Sequence, residues 1–349
     1  MLTFDKTPAK LIGERGDGFR LMLLLMNNAR IGVGFESLGL IENAIDLARR
    51  YAAERPSMGK TIDKHEMIAD YLDEMQVDAC AIRALGVRAA YYEELAQRLK
   101  LKAQFIAEDG SEEEARLLAE SKTMKWKARK VTPLLKYYAS EKAVQYGQRC
   151  VQIHGGVGYT TEYGAEKLLR DAMVLPIYEG TTQIQALMAT KDNLLAVTKE
   201  PARFARRIAK HWQRSIFADD PLERRVAALR HQSLVAMRTL MTRVVKHKYG
   251  VAKADPEVTL AKAFKNWDVK NDFAPALLHA ENLAWLLADA VTAEELWQQT
   301  AAHPERAAVL ERFLERAEAR GNDRLYRIQH TGDRLLAALA EHESSEAVA

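Results

Sequence analysis

Between His65 and Leu101, the residues Ile68, Met75, Ile82, Ala89 and Ala96 recur every seven positions, and Leu72, Ala79 and Gly86 stand four places after the first three. Apolar side chains at that spacing fall on one face of an α-helix and form the seam of a helical bundle. At 1.5 Å of rise per residue the helix is about 50 Å long. A seam of that length requires other long helices beside it.

The neighbouring segments supply them. From Phe19 to Ala53, Leu40, Ala44, Leu47 and Tyr51 share one face, and Leu38, Ile41, Ile45, Ala48 and Ala52 an adjoining one. So wide a stripe marks a helix buried on much of its girth. Gly32 and Gly34 either weaken that helix or admit another backbone closely. "ERPSMGK", with Pro56 and Gly59, ends it. "AEDGSEEE" (107–114) is a solvated turn in which Ser111 and Glu114 fit a capping box for a helix to about Arg129. Thr132 and Pro133 read as the N-cap and first position of a restarted helix reaching Ile153. A short helix over Ala165–Ala172 follows, then one carrying Ile184, Leu187, Met188, Leu194 and Leu195. After Pro201 the chain turns rich in Arg, Ala and Leu, with helices expected near 202–217, 221–249, 256–289 and 304–340. Strand patterns are nearly absent. The expected fold is all-α, an up-and-down helical bundle over 19–198 with a helical extension over 199–340 and a frayed tail at 341–349.

Composition narrows the function classes. A net charge of +3 over 349 residues gives no electrostatic case for nucleic acid or an anionic membrane. No run of eighteen apolar residues is present to span a bilayer, and "MLTFDKTPAKLIGERGDGF" lacks the pattern of a signal peptide. Cys80 and Cys150 are far apart, without metal spacing, as expected of reduced, packed thiols in a cytoplasmic protein. The nine histidines contain no HExxH pair, so no metal site is expected.

Four stretches carry possible chemistry. In "PIYEGTTQIQ" (176–185), Glu179 lies among Pro176, Ile177, Tyr178 and Gly180. A carboxyl against apolar walls has its charged form disfavoured, which suits a base. Gly180 and Thr181 open a helix, with Thr182 and Gln185 as a capping box whose free N–H groups suit an anion. A helix-start acid stabilised by the macrodipole fits the same spacing. "QIHGGVGYTTEYG" (152–164) allows left-handed dihedrals and close ligand approach, but it is not GxGxxG and follows a helix, so it reads equally as a helix C-cap and loop. "ERPSMGKTIDKHE" (54–66) offers Arg55, Ser57 and Lys60 at a turn, an anion fork or a solvated basic turn. In "NNAR" (27–30), Arg30 needs a partner if buried.

In that order, these stretches and "GDGFRLMLLLMNNARIGVGFESLGL" resemble the C-terminal part of flavin-dependent acyl-CoA dehydrogenases over about residues 10–197. The resemblance implies an all-α domain that assembles as a homo-oligomer (dimer or tetramer), binds FAD, and oxidises an acyl-CoA across Cα–Cβ, passing electrons to an electron-transfer flavoprotein. It implies Glu179 as the base that removes the α proton. Some relatives keep the base at the position of Ala29, which has no acid here. It implies FAD contacts at Arg55, Ser57, Gln152, Gly155, Gly156, Gly180, Thr181 and Gln183, those of Arg55 and Ser57 reaching a neighbouring subunit's flavin, and CoA-substrate contacts at Asn27, Asn28 and Arg30. Met58 stands where relatives usually carry Phe, and His154 is given no role. The tail after residue 200 resembles the extension of a longer subgroup that includes 3-methylmercaptopropionyl-CoA dehydrogenase-like proteins. Residues 1–18 look like the end of the β domain that precedes the helices in such enzymes, so a chain supplying further domains, or a non-catalytic assembly role, is the alternative expectation.

Overall fold

The computed structural model describes residues 3–254, 262, 264, 267–268, 272–332 and 334–339. Three long helices form the bundle: α1 Gly18–Glu54, α2 Glu66–Phe105 and α3 Glu112–His154. α2 and α3 make the most extensive contact and α1 packs on both. Short α4 (Ala165–Ala172) and α5 (Thr182–Lys199) lie on α3. The extension supplies α6 (Pro201–Phe217), α7 (Pro221–Ala254), α8 (Ala274–Leu277), α9 (Ala280–Thr300) and α10 (Ala307–His330). The only sheet among the described residues is a hairpin of β1 (Pro56–Ser57) and β2 (Lys60–Thr61), with Pro56 opposite Thr61 and Ser57 opposite Lys60. Its turn residues, Met58 and Gly59, have φ +47° and +82°, as a two-residue hairpin turn of the primed type requires.

The seven-residue repeat is the seam. Met75, Ile82, Ala89 and Ala96 are buried, with Leu72 and Ala79 beside them, while Ile68 at the helix start is half-buried. Ser111 caps α3, its hydroxyl accepting from the Glu114 N–H at 3.1 Å, and the Glu114 carboxylate accepts from the Gly110 N–H at 2.8 Å. Gly34 answers the question raised by the two α1 glycines. A Cβ there would lie 2.7 Å from Leu135 Cγ, whereas one on Gly32 would meet nothing within 4 Å. Leu135 is fully buried and cannot swing aside. Gly34→Ala is therefore expected to cost about 1–3 kcal/mol by overpacking, and Gly32→Ala to gain up to about 1 kcal/mol of helix propensity, both read by thermal unfolding.

Three expectations are corrected. α3 does not restart at Thr132: it runs unbroken through Pro133. Proline inside a helix costs about 3 kcal/mol, but every residue from 131 to 140 is buried, and that packing outweighs the missing N–H. The helix expected over 256–289 is not continuous. Part of it lies outside the described residues, α8 covers only Ala274–Leu277 with Pro275 in its first turn, and α9 starts at Ala280 and runs on to Thr300. The helix expected over 304–340 opens as a 3-10 turn at Pro304–Arg306 and is interrupted: α10 ends at His330, Gly332 at φ +105° turns the chain, and residues 334–339 are helical again. The tail at 341–349 lies outside the described residues.

The extension packs into the bundle. Trp285 of α9 stands edge-on to Tyr137 and Tyr138 of α3, with ring centroids 5.7 and 5.3 Å apart. Arg88 of α2 grips Glu295 of α9 through two hydrogen bonds of 2.6 and 2.8 Å. At the centre Asp78 accepts from Tyr138 (3.1 Å) and Tyr146 (2.5 Å) and pairs with Lys142 at 2.7 Å. Among the described residues no helix is long and apolar enough to cross a membrane, and no group of His, Cys, Asp and Glu is placed to hold a metal ion. Both cysteines are free thiols, and burial pushes Cys150 up to about 12.

Candidate active site

The strand of chain between α4 and α5 is folded by its own backbone. The Ile177 N–H donates to Val174 O at 2.9 Å, and the Thr182 N–H to Pro176 O at 2.8 Å. This leaves Glu179 and Gly180 at φ +55° and +84°. A non-glycine residue in the left-handed region costs on the order of 1 kcal/mol or more and persists only where the surroundings impose it. Two side chains do so. Arg30 Nε of α1 donates to Glu179 O at 3.2 Å, and Gln185 Nε2 donates to Glu179 O and Gly180 O at 3.3 and 3.2 Å. A Cβ on Gly180 would lie 2.9 Å from that Gln185 nitrogen, so glycine is needed there. Thr181, not Thr182, is the N-cap, its hydroxyl accepting from the Ile184 N–H at 3.3 Å. The expected Thr182–Gln185 capping box is corrected accordingly. Gln185 is spent on the loop, and Thr182 N–H on Pro176.

The electrostatic setting also differs from the local sequence. The setting of Glu179 is free of charge only along the chain. Buried Arg30 and buried Lys136 both act on it across space. Burial holds Arg30 below its ordinary value against the opposing pull of Glu179. Next to Glu179, the Tyr178 hydroxyl donates to Glu36 of α1, and burial together with that bond pushes the phenol well above its ordinary value. Sequence reasoning missed Lys136. Its signal was available, since it is the one charged residue in "VTPLLKYYAS" (131–140).

Lys136 Nζ is buried without a hydrogen-bond partner, as are Thr182 Oγ1 and Gln185 Oε1 nearby in the chain fold. Burial, reinforced by Arg30 and opposed by Glu141 and Glu179, lowers Lys136 to about 8. The unfolded chain, at the ordinary value of 10.5, then binds more protons than the folded one between pH 8 and 10.5. Stability linked to Lys136 therefore rises as pH rises through that window. Lys136→Met is expected to be more stable than the parent at pH 7 by about 2–3 kcal/mol, with the gap closing by pH 10. Denaturant unfolding at the two pH values measures it.

The remaining expected contacts fall into two groups. At the far end of α1, Arg55 and Ser57 are exposed on the hairpin. Beside them ends α3, where Gln152, Gly155 and Gly156 are exposed. His154 ties the two ends together, stacked on Tyr51 with centroids 4.5 Å apart and with Nδ1 2.8 Å from Cys150 O, so it is a packed histidine. From Arg30 to Arg55, α1 covers ~37 Å, more than the diameter of a small domain. One dinucleotide cannot touch both groups of a single chain. Gln183, at the head of α5, donates through Nε2 to Glu281 of α9 at 3.1 Å. Asn27 is half-buried, and Asn28 turns away from Arg30, accepting from Gln97 of α2 at 3.4 Å along an open groove of about 540 Å³.

A family profile for the acyl-CoA dehydrogenase C-terminal domain matches residues 16–108 and 110–194. The 3-methylmercaptopropionyl-CoA dehydrogenase of Ruegeria pomeroyi is 29% identical over 357 aligned positions, covering 97% of this chain and 55% of that protein. The CarC subunit of the caffeyl-CoA reductase-Etf complex of Acetobacterium woodii is 32% identical over 177 positions, 51% of this chain and 39% of that one. A crystal structure of an acyl-CoA dehydrogenase from Bacillus anthracis complexed with FAD superposes with a TM-score of 0.66 at 19% identity, covering 94% of this chain and 54% of that one. That likeness shows a shared fold across bundle and extension. The chain spans about half the length, or less, of the curated relatives it matches.

Proposed function

The chain belongs to the acyl-CoA dehydrogenase family, and from that premise we propose that it supplies the proton-abstracting half of an FAD-dependent α,β-dehydrogenation of an acyl-CoA thioester, with Glu179 as the base. The observation that carries the reading is the left-handed Glu179–Gly180 step, fixed by Arg30 and Gln185 at the head of α5. That geometry costs energy and fixes where one half-buried carboxylate sits. An α-C–H is a weak acid, so a base placed before its substrate arrives gains in rate what a mobile one loses to ordering. The N-terminus of α5 beside it is a favourable place for the negative charge that develops on the thioester oxygen.

One feature of the residues present supports their fit to a flavin dinucleotide. Gly155 and Gly156 lie on open surface, with nothing within 4 Å of an added Cβ, and Gly155 has φ +65°. Backbone there is accessible to a phosphate, with exposed Arg55 on the adjoining hairpin as a bidentate partner. On this reading Gly155, Gly156, Gln152, Arg55 and Ser57 hold the dinucleotide end, and Gly180, Thr181 and Gln183 the end near the base. A bound FAD would supply the acceptor for the hydride that Cβ loses as the base takes the α proton. Because the two groups are ~37 Å apart along α1, the flavin that meets Glu179 takes its other contacts from a second copy, which makes a homo-oligomer part of the proposal. Asn27, Asn28 and Arg30 are proposed for the CoA substrate, though Arg30 also serves the Glu179 backbone. An electron-transfer flavoprotein is the proposed acceptor and the cytoplasm the proposed setting.

The first turns of α1 leave Phe19, Met22, Leu23, Leu24 and Leu25 exposed, a patch of the kind that marks a protein–protein contact, and we assign it to the contact with flavin-holding domains. The test is direct. The purified chain, alone or with a chain bearing those domains, is examined for flavin absorbance and for its bleaching by acyl-CoA. Colourless protein that takes up no FAD in either case would sink the proposal.

A further inference from the structure

Where α3, α5, α6 and α7 meet, about 16 Å or more along α5 from the Glu179 loop, lies a cavity of about 290 Å³. Lys130, Arg203, Arg207 and Arg230 line it, with Trp126 and Phe204 as apolar walls. A second chamber of about 200 Å³ shares Lys130, Arg207 and Arg230 and adds Lys127, with no acid in its lining. The larger cavity has one carboxylate, Glu200, and Arg203 takes it at 2.9 Å. Two more acids act on the cluster across space, Asp192 on Lys130 and Glu294 on Arg230, but each is engaged elsewhere, by Arg129 at 2.7 Å and by Arg214 at 3.0 Å. Among the described residues, Lys130, Arg207 and Arg230 form no ion pair. Lys130 has only the face of Trp126, 3.8 Å from its ammonium.

Half-buried cations crowded together raise the energy of the folded state unless an anion compensates them. The crowding is visible in each group. Burial and then Arg207, Arg230 and Arg203 lower Lys130 to about 8. Burial and then Arg207 lower Arg230 to about 10. Burial and then Arg230, Arg214, Arg207 and Lys210 push His211 down to about 4. Guanidinium forks on two helices and an ammonium on a third are the donor set that grips a phosphoryl group from several sides.

We propose that this cavity is a binding site for a compact polyanion, a diphosphate or phosphomonoester group of a small molecule, held by Lys130, Arg207 and Arg230 and separate from the Glu179 site. The volume stands at the low end for a ligand site, so it takes the charged head and not a whole dinucleotide. The ligand bridges bundle and extension, because Lys130 belongs to α3 and the arginines to α6 and α7.

The test uses the full chain and inorganic pyrophosphate in thermal unfolding, against potassium chloride of equal ionic strength. At a pyrophosphate concentration near 100 times its Kd, the melting temperature is expected to rise by about 4 °C. Lys130→Met and Arg207→Gln are each expected to melt higher than the parent without ligand, since each removes repulsion, and to lose the pyrophosphate response. If either variant folds poorly, the other gives the comparison. Equal melting temperatures in pyrophosphate and chloride, or a rise that survives both substitutions, would overturn the proposal. So would retardation of duplex oligonucleotide by a protein indifferent to pyrophosphate, which assigns the cluster to nucleic acid.

Discussion

Glu179→Gln is expected to lower acyl-CoA turnover of the flavin-loaded assembly by about 10²–10⁴-fold, the usual contribution of a positioned general base. The fall should appear in kcat with KM little changed, because Gln keeps the shape of the side chain and the backbone bonds from Arg30 and Gln185 do not depend on the carboxylate. Melting temperature should move little, since the side chain is only half-buried and the structure gives its carboxylate no ion pair within 4 Å among the described residues. Gln185→Ala gives a different signature. It frees the carbonyls of Glu179 and Gly180 and so misplaces an intact base, and because effective molarity depends on sub-ångström placement it should lower kcat while leaving the pH profile in place. Full turnover by Glu179→Gln would remove Glu179 as the base, and no other acid in "PIYEGTTQIQ" is available to replace it.

How far the sequence led depends on whether a feature is local. The seam through Met75, Ile82, Ala89 and Ala96 was legible because a seven-residue period is a property of one helix. Ser111 was legible because a cap is satisfied within one turn. Thr132–Pro133 misled for the same reason: its start signal is local, and a run of ten buried residues overrode it. The cap of α5 shifted by one residue because Pro176 O takes the Thr182 N–H, a bond that only the folded loop creates. Around Glu179, chain neighbours gave the carboxyl an apolar setting, while Arg30 comes from 149 residues away and Lys136 from another helix. The same limit hid the union of bundle and extension. Arg88 and Glu295 are 207 positions apart, and neither residue type announces its partner.

Inside the bundle, α2 is joined to α3 at Asp78, and its removal is the largest stability effect expected here. Asp78 is buried on α2 and holds Lys142, Tyr138 and Tyr146 of α3 together. Its carboxyl is also drawn by Arg320 of α10, which makes two bonds, of 3.1 and 2.8 Å, to buried Asp289 of α9. Burial alone would raise Asp78, but Lys142 and Arg320 outweigh it and hold the carboxyl below its ordinary value. Asp78→Ala strips buried Lys142 of its closest counter-charge and orphans two phenolic hydroxyls. Breaking a buried pair in this way costs about 3–5 kcal/mol, or about 4–7 °C in melting temperature for a chain of this length. The carboxyl's own share has a pH signature. With the folded value depressed, its stabilisation is present above the unfolded value of about 3.9 and is lost as pH falls through the folded one. The parent should therefore lose its advantage over Asp78→Asn in acid, and the gap should be steady from pH 6 to 8. A parent-to-Asn gap unchanged down to pH 3 would mean that the geometry of the tyrosine bonds, and not the charge on Asp78, joins α2 to α3.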